Sequence, residues 1–452
     1  MKQPIRILLL FVLGAFRIAA LAGAQSAPRP QASYPLTLED AIHKALQANL
    51  SVLVAGTRVE ESEGARERSL SAALLPRVNA EVYANFQNRN LRAFGISVPG
   101  LPLPSVVGPF SNYDFRIYAQ ENVLDLASYR AYKASERSLD AGKMDEQDAR
   151  DLVVRVVAGL YLNAQSAEAR AAAAQSRVTD AETLLKLAKD KHDTGTATGV
   201  DVLRAQVQLA NDRQALLAAR NEAKQALLAL ARNLGMNPAT ELELAETLRF
   251  QALAEPPPDD LLTPALAARA DYLSLDRQRQ ALLEQQSVNR ARFYPKVSIN
   301  GNIGELGRSI GGVATTGLIQ GQIDFTVFDR DREGEAQQLA SRLKRIDDQI
   351  ADLRRGVDEE IRAALLNLDS AAQQVSVAAD GQDLAQRELQ MAQDRFAAGT
   401  ANNVEVVTAQ DELARAQQNY ILAVSSHVDA KYALARALGD TERNVLKFVA
   451  NP

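Results

Sequence analysis

Residues 195–202 read GTATGVDV, and residues 399–406 read GTANNVEV. Both stretches begin with Gly-Thr-Ala and end with valine, an acidic residue and valine. The sequence on either side of each stretch is rich in helix-forming residues and contains no proline. Glycine accepts the positive φ angle that ends many helices. Each stretch therefore predicts the tip of a helical hairpin.

The two tips belong to an internal duplication, which is the first feature to establish in a long chain. When Gly195 is aligned with Gly399, at an offset of 204, the two halves stay in register without a gap from residue 123 to residue 235. Upstream, Pro76 matches Pro295 at an offset of 219, so the first copy is longer there. The additional residues lie in a Pro- and Gly-rich stretch, 94–110, that predicts an external loop.

Each copy also contains two segments in which apolar and polar residues alternate, the pattern of a strand with one polar face. The four segments lie at about 78–87, 114–123, 297–303 and 319–327. Their length and alternation are typical of outer-membrane barrel strands. A soluble sheet with one face packed on a core shows the same alternation and is the alternative interpretation. Four strands cannot close a barrel, and open sheet edges are not tolerated in lipid. The pattern therefore predicts that several chains share one barrel.

Long helices follow each pair of strands, at about residues 129–192 and 333–396. At 1.5 Å per residue, each would be roughly 95 Å long. Apolar residues in the second helix recur about every 3.6 residues from Leu339 to Ala379, the period of a nearly straight helix. These helices predict rods standing side by side, and a soluble periplasmic coiled-coil adaptor or scaffold is the alternative interpretation.

The N-terminus predicts export from the cytoplasm. Lys2 and Arg6 precede an apolar run at 7–16, and Ala22-Gly23-Ala24 completes a secretory signal. The chain contains no cysteine, so neither a disulfide framework nor a lipidated cysteine is expected. We divide the chain into a signal peptide at 1–24, a first repeat at 25–240, a linker at 241–264, a second repeat at 265–440 and a C-terminal tail at 441–452.

Composition argues against an enzyme and against a nucleic-acid-binding protein. The formal net charge is −5 and no basic tract is present. The three histidines, His43, His192 and His427, are scattered along the chain and form no metal-binding motif. We therefore expect no catalytic residues, no metal and no cofactor.

The sequence resembles the outer-membrane efflux protein family of TolC-like outer-membrane factors. The residues that carry the resemblance, in order along the chain, are the opening of the first helix at 36–41, Leu75-Pro76, Phe328-Asp329 and the two tips. The resemblance implies a bacterial outer-membrane protein, mostly α-helical, with four strands per chain. It also implies a homotrimer with a twelve-stranded barrel in lipid and a helical periplasmic tunnel. Its function would be a passive, gated exit duct of a tripartite efflux or type I secretion system, joined by a periplasmic adaptor to an inner-membrane transporter.

The tips are the expected periplasmic entrance. Asp201 and Glu405 are predicted as gate acids, because rings of carboxylates in a pore favour cations. For Asp201, the alternative is that it only stabilises the first turn of the next helix. The remaining predicted gate residues, which complete the tip motif, are Gly195, Thr196, Val200, Gly399, Thr400, Val404 and Thr408. The family often has a second aspartate where this chain has Thr408, which makes the predicted ring weaker.

Overall fold

The computed structural model describes residues 34–91, 93, 95, 104–252 and 260–450, with no side chains described at 449 and 450. The predicted signal peptide and residues 94 and 96–103 of the predicted loop lie outside this part. The described helices are α1 (Leu38–Ala48), α2 (Leu50–Leu74), α3 (Leu126–Asp193), α4 (Gly199–Asn233), α5 (Leu262–Ala268), α6 (Ala270–Ala291), α7 (Asp331–Ala397), α8 (Asn403–Leu438) and α9 (Thr441–Ala450). The described strands are β1 (Tyr34–Leu36), β2 (Arg77–Asn90), β3 (Val106–Leu124), β4 (Leu242–Leu244), β5 (Lys296–Gly307) and β6 (Val313–Asp324).

Four strands form one antiparallel sheet in the order β2-β3-β5-β6. The two hairpins of the duplication meet where β3 pairs with β5, with Ile117 opposite Ile303. Strand β3 starts at Val106, so the predicted loop 94–110 was too long at its end. The prediction for the fourth strand was wrong at both ends, because β6 begins at Val313 and stops at Asp324, before Phe325 and Val327.

The two faces of the sheet differ in polarity, as the alternating sequence requires. The apolar side chains on one face are uncovered, and Ile319 is the most exposed of them at 85%. Among the polar residues of the alternating pattern, Asp114 is buried and forms an ion pair with Arg116. A large exposed apolar face in a single chain marks a surface that meets lipid or a partner.

The long helices α3 and α7 contain 68 and 67 residues and are each roughly 100 Å long. The predicted apolar seam of α7 is buried or half-buried from Leu339 to Val375, but its last predicted residue, Ala379, is exposed. The buried face continues instead through Ala385 and Leu389. In the lower part of the molecule, α3 packs on α4, α7 packs on α8, and α3 and α8 join the two hairpins. The helices therefore form a row in the order α4-α3-α8-α7.

The upper part repeats this arrangement. Here α2 packs on α3, α3 on α6, and α6 on α7. This order follows the strands, since α2 leads into β2, β3 into α3, α6 into β5 and β6 into α7. Within the described residues, no helix combines the length and apolar character needed to cross a membrane.

The segment predicted as a linker, 241–264, contains regular structure at both ends. Strand β4 pairs in parallel with β1, and α5 begins at Leu262. The largest core cluster lies here, where the hydroxyl of the fully buried Tyr161 donates to the Leu36 carbonyl at 3.0 Å. The predicted tail is a helix, α9, that packs against α3 and α8. The proline run Pro256-Pro257-Pro258 lies outside the described residues.

Candidate channel entrance

Both hairpin tips have the same backbone conformation where the first helix ends. Gly195 and Gly399 have φ angles of 74° and 75° and end α3 and α7. The Thr196 N–H donates to the Lys191 carbonyl at 2.8 Å, and the Thr400 N–H donates to the Arg395 carbonyl at 3.0 Å. Each of these hydrogen bonds runs to a residue five positions earlier. They satisfy carbonyls that a helix end leaves without partners.

The threonine side chains strengthen each turn. Thr196 Oγ1 donates to the Lys191 carbonyl at 3.0 Å, and Thr400 Oγ1 donates to the Arg395 carbonyl at 3.1 Å. Each threonine therefore binds one carbonyl with both its N–H and its hydroxyl. The recurring Gly-Thr pair is explained by the shape of the turn.

At the first tip, Asp201 is part of a capping box that begins α4. Thr198 Oγ1 donates to Asp201 Oδ2 at 2.7 Å, and the Thr198 N–H donates to the same oxygen at 3.0 Å. These hydrogen bonds hold the pKa of Asp201 below its ordinary value, with the Thr198 hydroxyl as the larger cause. Arg204 is the nearest cation, at 3.9 Å. Asp201 therefore stabilises the first turn of α4, which is the alternative role given for it above.

At the second tip, Asn402 caps α8 and leaves the acid free to reach elsewhere. Asn402 Oδ1 accepts from the N–H groups of Val404 and Glu405 at 3.1 and 3.3 Å. The Glu405 carboxylate instead accepts from Arg395 Nη1 at 2.8 Å, across the tip from the end of α7. Thr408 donates its hydroxyl to the Val404 carbonyl at 2.9 Å.

Asn403 joins the two tips. Its side chain is fully buried, and Nδ2 donates to the Asp201 carbonyl at 2.9 Å. Sequence reasoning passed over this residue. The available signal was a difference between the copies, because Asn403 occupies the position of Gly199 in the first repeat. The bond places the two acids at the same end of the molecule and at the same level.

Apolar contacts support this junction. Val406 is fully buried and Phe396 nearly so, in a cluster that draws residues from both hairpins. Lys191 lies over the Phe396 ring with its Nζ 5.4 Å from the ring centre. By contrast, the predicted gate residues Val200 and Val404 are exposed. The structure therefore separates the tip into a packed joint and an exposed rim.

The chemistry available at this end is electrostatic. Two carboxylates lie near the rim, each with an arginine in contact or close by. In the part of the chain that the structure describes, no group of histidine and acidic residues is arranged to hold a metal ion. The site can attract or repel ions and can change shape at a joint.

An elongated row of long helices topped by a membrane-type sheet defines the class of outer-membrane channels. A sequence model of the family described as outer membrane efflux protein matches residues 41–236 and 261–440, well over half of the chain. The chain belongs to the outer membrane efflux protein family. This family is one of channels for efflux and not of enzymes.

Relatives and solved structures agree with this assignment. The chain is 25% identical over 421 residues to the pyoverdine export outer membrane protein OpmQ of Pseudomonas putida, covering 89% of this chain and 85% of OpmQ. It is 23% identical over 396 residues to the toluene efflux pump outer membrane protein TtgF of Pseudomonas putida, covering 85% and 79% of the two chains. Its fold matches the outer-membrane channel OprN with a TM-score of 0.74 and 20% identity, over 90% of both chains. It matches the open state of the Neisseria gonorrhoeae MtrE outer membrane channel with a TM-score of 0.75 and 18% identity, also over 90% of both.

These comparisons confirm the predicted family, fold class and outer-membrane location, with a helical tunnel in the periplasm. They also confirm the predicted function as the outer-membrane channel of an efflux system. The alternative of a soluble periplasmic adaptor or scaffold is set aside, because the family match spans both repeats.

Proposed function

We propose that the chain works as a homotrimer, with twelve strands in one barrel and the long helices in one periplasmic tunnel. The trimer is a passive, gated exit duct. A periplasmic adaptor protein joins it to an inner-membrane transporter, which supplies the energy. The entrance lies at the hairpin tips.

The observation that carries this proposal is the pair of open sheet edges. Strands β2 and β6 lie at the edges of the four-stranded sheet, and each pairs on one side only within the described residues. Unpaired backbone N–H and C=O groups cost several kcal/mol each in a lipid bilayer. A cyclic assembly in which β6 of one chain pairs with β2 of the next removes all edges at once. Three chains give twelve strands, an even number as in other bacterial barrels.

The exposed apolar face supports the same assembly. Val82, Phe86 and Ile303 are all uncovered in the single chain. In a closed barrel, this face would contact lipid acyl chains and the polar face would line the interior. The sheet is therefore suited to the outer membrane only as part of a closed oligomer.

We propose that Asp201 and Glu405 contribute to a ring of up to six carboxylates at the entrance of the trimer. The Glu405 carboxylate takes no part in the cap and lies at the rim in an ion pair with Arg395, which offsets part of its charge. Asp201 is committed to the capping box. Glu405 is therefore the stronger candidate for ion selectivity, and Gly195, Thr196, Gly399 and Thr400 hold the turns that present both acids.

The mass of the protein in mild detergent tests the assembly. Multi-angle light scattering should give three chains per particle after the detergent contribution is subtracted. The membrane fraction should keep the protein through an alkaline carbonate wash and release it only with detergent. A monomer in a detergent that preserves other barrels, or release by the alkaline wash, would contradict the proposal.

A further inference from the structure

A cavity of about 390 Å³ lies where the two repeats meet the segment 245–251, which follows β4. Its lining residues come from α3 and this segment in the first half of the chain, and from α8 and α9 in the second half. Sites for small organic molecules in proteins have volumes of this order. None of the roles proposed above, in the barrel, the tunnel or the entrance, uses this cavity.

Lys431 of α8 is a buried cation on the wall of this cavity. It is only 4% exposed and lines the cavity. It forms no hydrogen bond or ion pair within the described residues, and burial lowers its pKa. A buried ammonium group without a charged or hydrogen-bonding partner is costly to a fold. The cavity beside it offers a place where an anion from solution can meet this charge.

Tyr432 adds a hydrogen-bond donor beside Lys431. It is 2% exposed and lines the cavity, and its hydroxyl group forms no hydrogen bond with a described residue. Buried tyrosine hydroxyls usually have a partner, as Tyr161 of the same core cluster has in the Leu36 carbonyl, at 3.0 Å. Lys431 and Tyr432 therefore offer two adjacent donors, one of them charged, to a ligand in the cavity.

His427, one turn before Lys431 on α8, does not carry a charge of its own at neutral pH. It is 1% exposed, and its ring centre lies 4.7 Å from that of Phe250. Burial, with a smaller contribution from the charge of Lys431, lowers the pKa of His427 to about 4. Its Nδ1 has no hydrogen-bond partner among the described residues. The positive charge on this wall of the cavity therefore comes from Lys431.

The charges that line the cavity favour a ligand with one negative charge. Arg249 is exposed and adds a second positive charge, and its Nε donates to Thr247 Oγ1 at 3.1 Å. Glu246 is the only carboxylate among the described lining residues, and it acts electrostatically on the hydroxyls of Tyr161 and Tyr432. Two cations and one carboxylate leave a single positive charge unbalanced. A monoanion balances it.

Apolar side chains form another part of the cavity wall. Leu248, Val428 and Phe448 line the cavity, are half-buried and pack against the largest core cluster. Small-molecule sites combine apolar surface of this kind with a few placed polar groups. An inorganic anion gains nothing from these side chains. The apolar part of an organic acid would be removed from water by contact with them.

We propose that this cavity binds a small organic monoanion, a carboxylate attached to an apolar body. The carboxylate accepts hydrogen bonds from Lys431 Nζ and from the Tyr432 hydroxyl. The apolar body contacts Leu248, Val428 and Phe448. Because the cavity joins parts of both repeats, the ligand holds the segment 245–251 against α8 and α9. The lining residues belong to one chain, so the proposal does not depend on the homotrimer.

Equilibrium dialysis of the detergent-solubilised protein against radiolabelled benzoate tests the site. Benzoate has one carboxylate and an apolar ring, and benzylamine has the same ring with the opposite charge. Benzoate binding should saturate at one molecule per chain, after uptake by protein-free micelles is subtracted. Neither benzylamine nor inorganic phosphate should displace it. Hydrogen exchange of the amides at 246–251 should slow when benzoate is bound.

Substitutions separate the contributions of the two donors. Lys431→Met removes the charge and keeps an unbranched side chain at the buried position, and it should weaken benzoate binding by about tenfold or more. Tyr432→Phe removes only the hydroxyl and should weaken binding by about threefold. Lys224→Met, at an exposed position of α4, changes the net charge equally and should bind benzoate as the wild type does.

Weaker binding in Lys431→Met but not in Lys224→Met, with both variants of wild-type mass by light scattering, supports the site. Equal affinity in Lys431→Met and the wild type, or displacement of benzoate by benzylamine or phosphate, would overturn it. An absence of saturable binding in the folded wild-type protein would also overturn it and would leave the cavity to water. If Lys431→Met does not assemble normally, Tyr432→Phe and the three probes on the wild-type protein decide. A failure of the homotrimer proposal appears in the light-scattering mass and leaves benzoate binding unaffected.

Discussion

The two hairpin tips share one sequence pattern and one turn, yet they use their acidic residues differently. In the first tip, Asp201 turns back to Thr198 and completes the cap of its own helix. In the second tip, Asn402 does the capping, and Glu405 extends to Arg395 at the end of the preceding helix. The first acid therefore serves its own helix cap, whereas the second lies in an ion pair at the rim.

One of the residues that differ between the two copies also connects their tips. Asn403, where the first copy has Gly199, donates across to the first tip and is fully buried. The two copies thus form similar hairpins, and the few positions at which they differ make them an asymmetric pair. The comparison teaches that the shared residues build the turns, while the residues that differ set the contacts between them.

Removing the joint should have the largest effect. Asn403→Ala would remove the hydrogen bond between the two tips and open a small cavity, at a cost of about 1–2 kcal/mol in local stability. Hydrogen exchange of the tip amides, followed by mass spectrometry, should rise in both tips and not only in the second. Asn419→Ala, at an exposed position farther along α8, is the matched control and should leave exchange unchanged. Faster exchange confined to the second tip would show that Asn403 does not join them.

Replacing the glycines should affect both tips equally. Gly195→Ala and Gly399→Ala each force a side chain into φ angles near 75°, at a cost of about 1 kcal/mol. Neither position has a neighbouring atom within 4 Å of the added methyl group, so the cost is one of backbone strain alone. Limited proteolysis at the tips should increase to the same extent in the two variants. A clear difference between them would show that the turns are not equivalent.

Low pH should destabilise the first turn of α4 by protonating the capping residue Asp201. The folded pKa of Asp201 lies below its ordinary value of 3.8, so its contribution is fully present at neutral pH and is lost as the pH falls through the folded pKa. The capping interaction is worth about 1 kcal/mol. Hydrogen exchange at the start of α4, corrected for the intrinsic pH dependence, should rise below pH 4 in the wild type. Asp201→Asn should already show the raised exchange at neutral pH and little further change, and an unaltered acid response in that variant would assign the effect to another group.

Much of the fold could be predicted from the sequence because it depends on local periodicity. Alternation over about ten residues located all four membrane strands, and long stretches without proline located α3 and α7 to within a few residues. The pairing of β1 with β4 was not predictable in this way, since each strand has only three residues and the partners are about 200 positions apart. The ends of β3 and β6 were also misplaced, because hairpin pairing and not local composition sets where a strand stops.

The entrance was predicted only in part, for the same reason. The glycines and threonines of the tips follow a repeated motif, and their turns are those expected for helix ends. The Glu405 contact with Arg395 and the Asn403 contact with Asp201 depend on how the chain turns and on how two hairpins pack. No local pattern signals either contact. The gate role of the acids stays a prediction.

Single-channel recording in planar bilayers tests most directly the claim that the second tip holds the functional charge. Glu405→Gln removes that charge and leaves Arg395 at the rim, so cation selectivity and block by trivalent cations should both fall. Arg395→Gln frees Glu405 and should shift both in the opposite direction, while Asp201→Asn should have the smallest effect. Unchanged selectivity and block in the Asp201→Asn, Glu405→Gln double variant would contradict the account and leave both acids with structural roles only.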